Sequence, residues 1–224
     1  MSPAASLQDP GSDGPRAFRP PTRGRRMRTS ARRSLHAPLQ FLRAFARAPL
    51  RVGAIWPSSR TLARRIADCC DFKPGATVVE LGAGTGAFTG VLLKRLHGRG
   101  RLLAVEINPA TAHILRRRFP QCEVIQDSAA NLPAYLDGRR ADCIVSGLAW
   151  GNMLPRTQRQ IFRAILKSLK AGGQFVAFAY VHAVWLPTSL RFRRQLLRHF
   201  KCVETTSVIW RNLPPAFVFR CWRG

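Results

Sequence analysis

Two carboxylates and three glycines carry the first chemical signal in this chain. Glu80 closes a β-branched apolar run (Val78, Val79), and Gly82, Gly84 and Gly86 follow at alternate positions. Glycines so placed let the backbone turn sharply and approach a ligand closely, because no Cβ intervenes. Glu106 lies 20 residues beyond Gly86 (106 − 86), at the end of a second apolar run. A carboxylate there suits ribose hydroxyls, since it accepts two hydrogen bonds at once. The plainer reading is an exposed side chain at a strand end. A strand, a glycine turn and a helix N-terminus together make a nucleotide-binding edge. The spacing is Glu-x-Gly-x-Gly-x-Gly, distinct from the G-x-G-x-x-G of the usual dinucleotide turn.

The elements that must position these residues alternate along the chain. Arg60 to Cys70 reads as a helix, with Leu62, Ile66 and Cys70 on one side, and Pro74-Gly75 turns into the first strand. Ala87 to His97 is a helix, Arg101 to Val105 a strand, Ile107 to Arg118 a helix, and Glu123 to Gln126 a third strand ending at Asp127. Asp127 there reads as a cap for a short helix over 128–132. Asp142 to Ser146 is a fourth strand. Pro155 starts a helix running to Leu169 and closed by Gly172-Gly173, and Gln174 to Tyr180 is a fifth strand. Two β-rich runs, CVETTSVIW and AFVFRCW, then form an antiparallel edge, completing a seven-stranded, mostly parallel sheet with helices on both faces.

The 224 residues suit one domain plus an extension. A formal charge of +26 against only 11 acidic residues implies a polyanionic partner, either nucleic acid or an anionic membrane surface. The six cysteines show no C-x-x-C pair and no His/Cys cluster, which argues against a metal site and for a reducing cytosol. Cys143 and Cys202 read as small core residues. The longest apolar stretch, Phe175 to Leu186, is too short to span a bilayer, and no secretory apolar run opens the chain.

Residues 1–33 hold eight arginines against Asp9 and Asp13 and almost nothing apolar, the composition of a disordered basic extension. Over residues 34–51, Leu35, Leu39, Leu42 and Ala46 follow one helical face with Phe45 beside them, while Arg43, Arg47 and Arg51 follow another. Such a helix either lies in a membrane interface, with Leu39, Leu42 and Phe45 in the acyl boundary and Arg43 and Arg47 on anionic head groups, or packs on the domain's own core. Residues 52–224 make the remaining domain.

The glycine loop resembles the S-adenosylmethionine loop of class I methyltransferases, whose fold is Rossmann-like. Together with VEINP, QDSAANL, SGLAWGNM, FAY and VIWRNLPPAFVFR, it resembles the bacterial phospholipid N-methyltransferase family. The match runs from about Arg51 to Arg223 and includes VGAIWPSSR; Ala149 stands where that family usually carries proline. The resemblance implies stepwise N-methylation of phosphatidylethanolamine towards phosphatidylcholine. It implies S-adenosylmethionine held by Glu80, Gly82, Gly84, Gly86, Glu106, Ile107, Asp127 and Ser128, with Asp127 at the adenine amino group. Tyr180 is the implied active-site tyrosine, with Ser146, Trp150 and Asn152 around the acceptor. Trp150 would add cation–π attraction as the amine becomes quaternary. Core packing is the plain alternative for both aromatics. Arg211 and Asn212 are assigned to the lipid head group. The setting is then cytoplasmic, peripheral to the inner face of the membrane, with the enzyme a monomer.

Two other readings stand beside this one. An RNA adenine N6-methyltransferase would share fold and cofactor and account for the charge. Such enzymes usually carry Asn/Asp-Pro-Pro-aromatic, or Asn-Leu/Ile-Pro-aromatic, after the fourth strand, where this chain reads Ser146-Gly147-Leu148-Ala149-Trp150. A non-catalytic basic module is disfavoured by the intact Glu80, Glu106 and Asp127.

Overall fold

Val78 and Val79 are both buried, on opposite faces of one strand, and so organise two cores. Strands covered on both faces read as continuous apolar runs, which is how this sheet is written. The computed structural model describes residues 60–71 and 73–224. The predicted helix of residues 34–51 and the extension before it lie outside the described residues.

The strands are β1 (Ala76–Leu81), β2 (Gly100–Val105), β3 (Glu123–Ile125), β4 (Ala141–Ser146), β5 (Leu169–Tyr180), β6 (Cys202–Thr205) and β7 (Ala216–Trp222). They form one seven-stranded sheet in the order β3-β2-β1-β4-β5-β7-β6. The first five run parallel; β7 is antiparallel to both β5 and β6. The expected seven-stranded architecture is therefore the observed one.

Three helices cover one face: α1 (Arg60–Asp68), α2 (Ala87–Leu96) and α3 (Pro109–Arg118). Leu62, Ile66, Phe88, Leu92 and Leu115 pack there against Val78, Leu102, Cys143 and Val176. On the other face α4 (Pro155–Ser168) and α5 (Pro187–His199) bring Ile161, Phe162, Phe192 and Leu196 onto Val79, Ile144 and Phe175.

Local chemistry explains where the elements stop. α3 begins at Pro109 rather than Ile107, because the Asn108 side chain caps it by accepting from Thr111 N (3.2 Å). α1 ends at Asp68, short of Cys70. Gly172-Gly173 does not close α4: the chain enters β5 directly at Leu169, and the two glycines fall where its register with β4 shifts. Cys202 departs from the core reading, since its strand is the sheet's edge and its side chain is exposed.

Candidate active site

The carboxyl ends of β1, β2 and β3 meet at the glycine loop. Gly82, Gly84 and Gly86 all have positive φ (71°, 55° and 87°), which L side chains rarely adopt. A Cβ at Gly86 would strike the Phe119 ring, and one at Gly82 would push against the end of the Leu148 side chain. A Cβ at Gly84 would meet nothing within 4 Å, which leaves room for a ligand over that peptide alone.

Glu106 holds this loop open. Its Oε2 accepts from Gly84 N (2.8 Å) and its Oε1 from Asn108 N (2.8 Å), so one carboxylate fixes both the loop and the turn into α3. Each oxygen keeps a further lone pair for hydroxyl donors. Ile107, beside it, is 70% exposed and offers a flat apolar face. Arg118 steadies the far side by donating to the Thr85 carbonyl (3.0 Å).

Glu80 is wholly buried between the end of β1 and the first turn of α2. Thr89 Oγ1 donates to its Oε2 (2.7 Å), while Oε1 has no hydrogen-bond partner. Burial pushes its pKa up to about 8, against the opposing pull of the Thr89 hydrogen bonds. The open space above Gly84 and this orphaned buried oxygen are what a cationic nucleoside cofactor would use.

Asp127 is turned back on its own segment. Its carboxylate accepts from Ser128 N (2.6 Å), the Asn131 amide (3.0 and 3.1 Å) and Tyr135 Oη (2.6 Å), and these bonds hold its pKa below the usual range, Tyr135 first. The cap of the following 3-10 turn (Ala129–Tyr135) is Ser128, whose Oγ accepts from Ala130 N, and not Asp127.

The carboxyl ends of β4 and β5 enclose a second space, a cavity of about 300 Å³. Trp150, Phe178, Phe192 and Phe217 give it an apolar wall, with Asn152, Tyr180, His182, Ser189, Arg193 and Thr205 as its polar side chains. Tyr180 stacks on His182 (centroids 5.6 Å, 16°) and meets Phe178 edge-on (5.2 Å). Burial raises the Tyr180 phenol above its ordinary pKa, so it keeps its proton. Partial burial lowers the His182 imidazole below its own, so it is neutral at pH 7.

Three predicted site residues do other work. Ser146 is fully buried, and its Oγ accepts from Trp150 Nε1 (3.0 Å) and Leu148 N (3.3 Å); it ties the loop and cannot reach a substrate. Trp150 is 2% exposed, stacks on Phe192 (4.2 Å, 10°) and meets Phe162 and Phe175 edge-on, so it is a core residue that also contributes to the cavity wall. Asn212 is buried and donates to the Pro214 carbonyl (2.6 Å), which fixes the β6–β7 connection rather than a head group; Arg211 beside it is exposed.

α5 supplies Ser189, Phe192 and Arg193 to the cavity, and the turn after β5 supplies His182, none of them among the expected site residues. Pro187 followed by Phe192 and Leu196 at i, i+4 was the signal for the helix, weakened by the four arginines set among them. Gln158 of α4 locks this helix in place: its buried amide donates to the Trp150 (3.1 Å) and Thr188 (3.0 Å) carbonyls.

Residues 78–173 match the family model described as a methyltransferase domain. The chain is 32% identical over 188 residues to an ornithine lipid N-methyltransferase of Singulisphaera acidiphila, covering 81% of this chain and 93% of that protein. It is 30% identical over 146 residues to ribosomal RNA large subunit methyltransferase E of Acinetobacter baumannii, covering 59% of this chain and 64% of that one. Among solved structures, TrmN from Thermus thermophilus superposes with a TM-score of 0.61 at 17% identity, over 81% of this chain and 53% of its own. The chain belongs to the class I S-adenosylmethionine-dependent methyltransferases. It is an enzyme, and S-adenosylmethionine is its methyl donor.

Proposed function

We propose that this methyltransferase acts on the amino group of a membrane aminolipid, phosphatidylethanolamine or an ornithine lipid, two head groups that offer the same primary amine. The observation that carries this reading is the cavity at the ends of β4 and β5, with an aromatic wall and a Tyr180–His182 pair. The relative that spans nearly its whole length with this chain bears the name of a lipid N-methyltransferase, which supports the same class.

When bound, S-adenosylmethionine supplies an electrophilic methyl group on a sulfonium. Glu106, with Gly84 and Ile107, would hold its nucleoside, and Glu80 would lie beside its positive charge. The chain's own residues do the rest. Tyr180 keeps its proton, so its hydroxyl orients the amine and does not act as a base. An ammonium group cannot attack, and neutral His182 at the cavity wall accepts the proton it must lose. Trp150, Phe178, Phe192 and Phe217 keep water from the amine. Arg193 and exposed Arg211 are available to the phosphate or carboxylate of the head group.

The test is partition of label from methyl-labelled S-adenosylmethionine between lipid and RNA. Purified enzyme is given vesicles of either aminolipid and, separately, ribosomal RNA. Label in the lipid extract supports the proposal. Label confined to RNA replaces it with the RNA reading, which the basic charge and the ribosomal RNA methyltransferase relatives favour.

A further inference from the structure

Eight large apolar side chains are exposed among the described residues, and five of them stand on one edge of the sheet. Leu154 follows the turn after β4, and Trp185 and Leu186 follow the turn after β5. Trp210 and Leu213 lie in the β6–β7 connection. That connection is bound to the carboxyl end of β5: Tyr180 pairs with Ala216, and Val181 N donates to the Pro215 carbonyl (2.9 Å). Trp185 is 82% exposed, and Trp210 and Leu154 are each 73% exposed. Trp185 also lines the cavity, so this apolar edge and the cavity are continuous.

The stretch of chain that carries Leu154, Trp185 and Leu186 has charge of one sign. Between Asp142 and Glu204 the chain has not one acidic residue and carries ten lysines and arginines. Exposed Arg156 stands two residues from Leu154, Arg211 adjoins Trp210, and Arg193 lines the cavity. Clustered exposed apolar side chains among polar ones mark a binding surface. Tryptophan with arginine is the pairing that suits a bilayer interface, where the ring sits at head-group depth and the cation meets anionic lipid. Base stacking on RNA would also use aromatics, but Leu154, Leu186 and Leu213 have no stacking face to offer.

We propose that this edge is a membrane-docking surface: it seats on an anionic phospholipid bilayer, with Trp185 and Trp210 in the interface and the cavity opening onto the lipid. The inference rests on the aminolipid reading for the cavity's contents, but docking itself needs no aminolipid and is measured without one. It places a second contact on the catalytic domain, separate from the helix expected at residues 34–51.

The experiment uses the full chain and phosphatidylglycerol vesicles free of aminolipid, with brominated acyl chains as quenchers of tryptophan emission. The double variant Trp185→Ser/Trp210→Ser should partition at least about tenfold more weakly and lose the quenched component, with an unchanged melting temperature because neither side chain is in the core. Trp185→Phe/Trp210→Phe should retain most of the binding. Equal partitioning of wild type and the serine variant, or emission from these tryptophans that bromine leaves unquenched, would overturn the proposal. So would serine-variant binding that is intact on vesicles and lost on ribosomal RNA, which would assign the edge to RNA. Docking without any lipid methylation would sink the aminolipid reading alone. Methylation of detergent-dispersed aminolipid without docking at this edge would sink this inference alone.

Discussion

Gly147 lies so close to Gly82 that a Cβ on Gly147 would stand 2.6 Å from the Gly82 carbonyl oxygen. The loop after β4 and the glycine loop after β1 therefore share one wall, sealed by Gly147 N donating to the Leu81 carbonyl (2.8 Å) and by Leu148 over Gly82. The segment that enters the cavity wall at Ala149 is thereby braced on the glycine loop.

Gly147→Ala should for that reason injure both halves, because the new methyl meets backbone that cannot swing aside. A lowered melting temperature with weaker cofactor binding is expected. Gly84→Val is the contrast. Its side chain enters open space, so the fold should survive with roughly 1–2 kcal/mol of backbone strain while cofactor affinity is lost. Differential scanning fluorimetry with and without S-adenosylmethionine separates the two. Equal thermal shifts by the cofactor in wild type and Gly84→Val would remove the glycine loop from the site.

Glu106→Ala deletes the acceptor for Gly84 N and Asn108 N together. Charged hydrogen bonds of this kind are worth about 1.5–3 kcal/mol, so cofactor affinity should fall roughly tenfold to a hundredfold by calorimetry. An unchanged affinity would contradict the role given to this carboxylate.

Glu80 gives the cofactor-free protein a pH signature. Its folded pKa is about 8 against an ordinary 4.5, so the folded state keeps a proton that the unfolded chain releases. Its contribution is greatest below pH 4.5 and declines as pH rises to about 8, with a slope of up to about 1.4 kcal/mol per unit. Denaturant titrations across that window should show the decline, and Glu80→Gln should flatten it. Parallel curves for the two proteins would contradict the burial of an ionisable Glu80.

His182 and Tyr180 make separable predictions. If His182 takes the proton, turnover should fall as pH drops below about 6.5 through its lowered pKa. His182→Gln should remove that acid limb while leaving cofactor affinity alone. Tyr180→Phe should lower kcat by about ten- to a hundredfold without moving the limb. An acid limb that persists unchanged in His182→Gln would transfer the proton to another group.

Much of this architecture was legible because parallel strands buried on both faces leave continuous apolar runs, and Val78-Val79 and Cys143-Ile144-Val145 are such runs. The glycine loop was legible for the same reason, since its glycines and Glu106 hang on strand ends that the runs define. The surroundings of the cavity were not. A sequence does not show that the Trp150 indole folds back on Ser146, or that Asn212 donates to Pro214, and both contacts turn apparent site residues into scaffold. The apolar stretch Phe175 to Leu186 hid a boundary, because it holds the end of β5, a 3-10 turn (Val181–Ala183) and the exposed Trp185 in one run.

On the proposed function, the methyl group goes to the nitrogen of a lipid head group. Tandem mass spectrometry of aminolipid vesicles incubated with the enzyme and S-adenosylmethionine reads the acceptor atom directly. Head-group fragments heavier by one or more methyl groups are expected, with acyl fragments unchanged, and fewer of them from Glu106→Ala at limiting S-adenosylmethionine. Unmodified head groups from an enzyme that demonstrably binds its cofactor, together with methylated adenine in ribosomal RNA, would contradict it.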